Sequence, residues 1–168
     1  MQLIDIDPQR YRQRLTKIMF ACIGLLSISS LSISQLFITL FPSANGTHFH
    51  WNLLGVVLSA LLLLFILIKL KSHSFFYEAN YVWSLKQTLN KINRRMKEIE
   101  QAVQRGEPNA IQILHYSYVG SRQLWQLDNN TITLNRLTSL EKQLAEKAKQ
   151  HQVILDIEQF NDTLLLEY

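Results

Sequence analysis

The chain has 168 residues, a formal net charge of +4 and a mean hydropathy close to zero. Its one cysteine, Cys22, excludes an intramolecular disulfide and a cysteine-based metal cluster. The charge is unevenly placed, at +2 over Met1–Lys17, +5 over Lys69–Arg105 and −3 over Gly106–Tyr168. The basic excess hugs two apolar stretches, which points to anionic lipid head groups as its partner and argues against nucleic acid.

Residues 1–17 form a polar N-terminal segment with Arg10, Arg12, Arg14 and Lys17 at its end. Ile18–Phe41 then contains no charged residue, and neither does Trp51–Ile68. A helix needs roughly 20 mainly apolar residues to cross the hydrocarbon core of a bilayer. At that depth backbone groups must pair within their own segment, so each run is expected to be helical. The pattern predicts a transmembrane hairpin, with spans at 18–41 and 51–70 joined by a short external loop at 42–50. That loop has no Lys or Arg, whereas Lys69 and Lys71 close the second span. The positive-inside rule therefore predicts that both termini are cytoplasmic, with Phe49 and Trp51 at the outer interface. A cleaved signal peptide is the competing reading of the first span, but the apolar run is longer than a signal core. Asn45-Gly46-Thr47 matches a glycosylation acceptor, a short and common pattern read here as a turn.

Gly55 and Ser59 are four residues apart, a spacing of small residues that lets helix backbones approach closely. The first span offers Ser27, Ser30 and Ser34 at helical spacing, with Gln35 beside them. These five small positions are predicted to pack the hairpin. The alternative is a polar seam lining a path, but transport paths usually carry an intramembrane ionisable group and these spans have none. His48 and His50 lack a third ligand, so they read as interface residues and not as a metal pair.

Residues 72–168 are predicted to form a cytoplasmic helical domain. Val82, Leu85, Leu89, Ile92, Met96, Ile99 and Val103 recur at alternating spacings of three and four, the seam of a long amphipathic helix or coiled coil. Nothing in the sequence separates that helix from the second span, so the two are expected to be nearly continuous. Phe75, Phe76, Tyr77, Tyr81 and Trp83 cluster at its membrane end. Lys86, Lys91, Arg94, Arg95 and Lys97 lie off the seam, and Arg94, Arg95 and Lys97 are expected to attract anionic lipid. Gly106-Glu107-Pro108 should end this helix and open the next. A second cytoplasmic helix is expected over Pro108–Leu127, with Ile111, Leu114, Tyr118 and Trp125 as its stripe and Gly120 at a close contact or a tolerated weak point. Asp128-Asn129-Asn130 is a loop. A third helix is expected over Ile132–Gln150, with Leu134, Leu137, Leu140, Leu144 and Ala148 inward. Beyond it, Val153–Leu155 reads as extended and Ile157–Leu166 as a short terminal helix. Either a parallel homodimer or the following helices of the same chain can cover the seam. The second is preferred, because those helices have apolar stripes of their own to bury.

No glycine-rich phosphate loop, H-E-x-x-H or G-x-S-x-G is present. His115, Tyr116 and Ser117 point in different directions around a helix, with Asp128 further along. No catalytic, cofactor-binding or metal residue is assigned, no cofactor is expected, and the chain is not expected to be an enzyme.

The segments MQLIDIDPQRYRQRLTK (Met1–Lys17), YEANYVWSLKQ (Tyr77–Gln87) and LDNNTITLNRLTSLEKQL (Leu127–Leu144) resemble a family of small two-span proteobacterial proteins, a domain of unknown function. The resemblance covers nearly the whole chain. It implies a bacterial inner-membrane protein and supplies no activity, cofactor or catalytic residue. The sequence thus predicts an all-α protein, a transmembrane hairpin followed by a small cytoplasmic bundle. Its expected role is that of a membrane-anchored interaction or scaffold protein. The expected partners are anionic lipid and, through the cytoplasmic helices, another protein or a second copy. The alternatives are an oligomeric pore-forming or membrane-perturbing effector and, more remotely, a membrane-bound enzyme.

Overall fold

The structure, a computed structural model, describes residues 2–42, 47–130 and 134–168. It is all-α, with no strand among the described residues. The chain divides into two compact units: a hairpin unit, Gln13–Tyr77, and a helical unit built from Met1–Arg12 together with Glu78–Tyr168. The Asn45-Gly46-Thr47 turn and the start of the third cytoplasmic helix at Ile132 fall partly outside the described residues.

The hairpin unit holds most of α1 (Pro8–Leu40) and all of α2 (Phe49–Leu70). Helix α1 starts well before Ile18, so Met1–Lys17 is not a separate segment ahead of the first apolar run. The Asp7 carboxylate accepts from the Gln9 amide at 2.9 Å, and Pro8 follows at the first helical position. An acceptor side chain at the cap and a proline with no amide to satisfy suit a helix start. Helix α2 ends at Leu70 and does not run on into the next helix, contrary to the expected continuity. His73 takes an extended backbone (φ −74°, ψ 141°), and its Nδ1 accepts from the Phe75 amide at 3.2 Å. A single 3-10 turn, Ser74–Phe76, leads from there to α3 (Tyr77–Arg94).

In the helical unit, the expected single helix over Val82–Val103 is two helices, α3 and α4 (Met96–Gln104). Arg95 leaves helical geometry (φ −110°, ψ 11°), with its amide turned back to the Ile92 carbonyl at 3.0 Å. No glycine or proline marks the break, and the apolar seam continues across it. Val82, Leu85, Ile92, Ile99 and Val103 are buried in the core of their own chain, with Leu89 and Met96 packed against it. Gly106 ends this stretch at φ 79°, a left-handed conformation that favours glycine, and the Glu107 amide returns to the Ala102 carbonyl.

Helix α5 (Pro108–Leu127) is the axis of the unit, packed by α4, by α6 (Leu134–Gln150) and by two C-terminal 3-10 turns, Ile157–Gln159 and Asp162–Glu167. The single stripe read from the sequence is therefore too narrow. Ile111 and Leu114 are buried, Tyr118 and Trp125 are half-buried, and Ile113 and Tyr116 on other faces are fully buried. The Tyr116 ring stacks on Phe160 at 3.9 Å between centroids. Gly120 marks a close contact, since a Cβ there would stand 3.2 Å from side-chain carbons of both Leu85 and Leu89. The buried Gln112 side chain donates to the Ile154 carbonyl and to Gln159, and accepts from the Asp156 amide at 3.1 Å. One glutamine thereby pins the C-terminal segment through its backbone, satisfying its own buried polar atoms.

The N-terminal segment belongs to the same core. Ile6 and Tyr11 are buried in it. The Tyr81 hydroxyl accepts from the Ile4 amide at 2.9 Å and donates to Gln123 at 2.8 Å, while the Gln123 amide donates to the Ile4 carbonyl. The Arg10 guanidinium lies 3.1 Å from the buried Glu78 carboxylate.

Candidate functional site: the helical hairpin

The hairpin is held together where its residues are smallest. A Cβ added at Gly55 would fall on the Ser34 hydroxyl, 2.9 Å from both the Ser30 carbonyl oxygen and the Ser34 amide nitrogen. Only glycine permits that approach of backbone to backbone. Ser34, Gly55 and Ser59 are buried and Ser30 is half-buried. Ser27 is exposed, so it is not a packing residue. On α2, the buried Gly55 and Ser59 give way to the bulkier, half-buried Leu63, Ile66 and Leu67. Beside these, the two helices leave a cavity between them in place of direct contact.

Beyond the small-residue contact, at the loop end, the aromatics stack. The Trp51 ring lies 5.4 Å from Phe37 and 5.3 Å from Phe41, and His50 packs against Trp51 at 4.7 Å. At the other end sit Arg14, Lys17, Lys69 and Lys71 with Phe75 and Phe76. The Arg14 guanidinium lies 5.4 Å from the centre of the Phe75 ring and donates to the Ser74 carbonyl at 3.2 Å. The Lys69 ammonium stands 5.7 Å from the centre of the Phe65 ring. From Trp51 to Lys69, α2 rises about 27 Å, close to the roughly 30 Å hydrocarbon core of a bilayer.

The outer surface of the hairpin is apolar almost throughout. Phe20, Ile28, Leu31, Leu61, Phe65 and Ile68 are all more than half exposed. Of the most apolar stretch of each helix, 6% in α1 and 11% in α2 is buried, so neither is covered by its own chain. Both are long and apolar enough to cross a membrane.

The helical unit carries the other predicted positions. Arg94 and Lys97 are exposed, and Arg95 is half-buried at the break between α3 and α4. Arg94 and Arg95 edge a shallow cavity of about 310 Å³ with Lys91, Asp162, Leu165 and Leu166, where Lys91 and Asp162 form an ion pair at 2.7 Å. A second cleft, of about 460 Å³, brings His115 together with Asp156, Glu158 and the N-terminal residues Gln2 and Leu3. Burial pushes the His115 imidazole below its usual range, against the pull of the Glu141 and Asp156 carboxylates. Among the described residues no three His, Cys, Asp or Glu side chains are grouped to hold a metal ion.

Sequence reasoning missed Ile6, Tyr11 and the Tyr81–Gln123 clamp on Ile4. The available signal was the Asp7-Pro8 pair, a helix start ten residues ahead of the expected span.

The molecule is thus an all-helical protein with two long apolar helices near its N-terminus and a compact helical unit. It belongs to the family described as "Protein of unknown function (DUF3087)", which matches residues 1–165. No curated protein and no solved structure matches the chain.

Proposed function

We propose that the chain is a membrane-anchored, non-enzymatic interaction protein of the bacterial inner membrane. The hairpin spans the bilayer twice, and the helical unit is the part offered to partners on the cytoplasmic side. One observation carries this reading: the segments before and after the hairpin share one core. Ile6 and Tyr11 are buried with Val82, Ile111 and Tyr116. Segments packed in one core lie on one side of any membrane, so an apolar hairpin between them crosses an even number of times. The same packing argues against cleavage after the first span, which would strip Ile6 and Tyr11 from the core. The cations at the flanks and their absence from Pro42–His50 favour the cytoplasm as that side.

Reporter fusions test the reading. A fusion after Tyr168 is expected to be active only as a cytoplasmic reporter, and one inserted in the 43–46 stretch only as a periplasmic one. A C-terminal fusion active in the periplasm would overturn it.

One observation favours a second reading, an oligomeric pore-forming effector. Ser27, Ser32 and Gln35 are exposed on α1, where polar side chains facing lipid would seek partners on another helix. Ion flux through liposomes holding only this chain would favour that reading.

A further inference from the structure

We propose that the basic end of the hairpin is a binding site for one anionic phospholipid, whose acyl chain fills the cleft between α1 and α2 and whose phosphate meets Lys17. This rests on the membrane reading above and makes it specific. The cleft measures about 370 Å³, within the roughly 300–1,000 Å³ typical of small-molecule sites. Its walls include Ala21 and Leu25 from α1, Leu63 and Leu67 from α2, and Phe75 from the turn that follows. Lys17 is the one charged residue among those lining it. Water gains nothing in such a space, because a buried water needs two to four polar partners and these walls offer almost none. Hydrocarbon fits the walls, and a bilayer supplies it at this depth.

The charge around the cleft selects the head group. Four cations lie at this end of the hairpin, Arg14, Lys17, Lys69 and Lys71, and no acidic residue lines the cleft. Two of the four are held at this end by aromatic rings. Arg14 lies over Phe75, itself a wall of the cleft, and Lys69 lies over Phe65. A phosphate whose head group adds no cation complements this cluster. A zwitterionic head group brings its own positive charge into it, which like-charge repulsion disfavours.

The full-length chain, purified in mild detergent and incubated with equal amounts of dioleoyl-phosphatidylglycerol and dioleoyl-phosphatidylcholine, provides the test by native mass spectrometry. The expected result is one retained phosphatidylglycerol in clear preference to phosphatidylcholine. Lys17→Gln should weaken that retention about fivefold, the effect of one membrane-proximal cation. Ala21→Phe, which fills the cleft, should reduce retention of both lipids at unchanged helix content. Equal retention of the two lipids by the wild-type chain would overturn the proposal, as would full retention of phosphatidylglycerol by both variants. Failure of the membrane reading itself would look different: the chain would leave native membranes at alkaline pH.

Discussion

Replacing Ile92 with aspartate is expected to unfold the helical unit. Ile92 is fully buried in the seam of α3, and its carbonyl accepts the Arg95 amide that turns the chain into α4. Loss of its side chain from a packed core costs about 2–5 kcal/mol. A carboxylate left there without a partner adds several kcal/mol more, or is forced to bind a proton. Domains of this size have about 5–15 kcal/mol in hand, so the sum consumes most or all of the margin. The measurement is urea denaturation of the full-length chain in detergent, with Trp51→Phe so that fluorescence reads Trp83 and Trp125. The expected outcome is loss of the cooperative transition with Ile92→Asp. Ile92→Val should only shift it, by about 0.5–1.5 kcal/mol. A folded, monomeric Ile92→Asp chain would mean that the seam serves contacts between molecules and is not covered by its own helices.

The second large effect is expected at Gly55. Leucine there would drive its Cβ into the Ser34 hydroxyl and against the α1 backbone at Ser30 and Ser34. A flexible side chain can move aside, whereas helix backbone cannot, so α1 and α2 must separate. The expected loss is about 1–3 kcal/mol of packing, the usual scale of an overpacked contact. The stack of Trp51 on Phe37 and Phe41 should loosen with it. Near-UV circular dichroism of Trp51, in a chain with Trp83→Phe and Trp125→Phe, reads that change directly. Gly24→Leu is the control, because a Cβ at Gly24 meets nothing within 4 Å. Equal spectra for the two variants would show that Gly55 does not set the crossing of the helices.

Local patterns explain which parts of this fold are legible in the sequence. The two apolar helices, the helix start at Pro108 and the burial of the Val82–Val103 seam all follow from composition and spacing over a few turns. The glycine at 106 is legible for the same reason, since its turn is decided by its own backbone. What the sequence hides depends on distant partners. The N-terminal segment looks like a polar leader until Tyr81 and Gln123 close on Ile4, across separations of 77 and 119 residues. The buried far side of α5 is invisible until Phe160 and the C-terminal turns cover it. The break at Arg95 involves neither glycine nor proline, so no breaker announces it. Ser27 shares the spacing of Ser30 and Ser34, but spacing within one helix does not say how close the facing helix comes, and Ser27 is left exposed.

Bilayer depth measured by spin labelling tests most directly whether the exposed apolar surface of the hairpin faces lipid. Single labels would be placed at Val56, Leu61 and Phe65 on α2, all exposed, and at His73 and Tyr168, in a Cys22→Ser chain reconstituted into phospholipid bilayers. The three α2 labels are expected to be open to oxygen and shielded from a water-soluble nickel chelate, most strongly near the middle of the helix. The labels at 73 and 168 should show the reverse. Free access of the nickel chelate to Val56, Leu61 and Phe65 would place the hairpin in water and contradict the account.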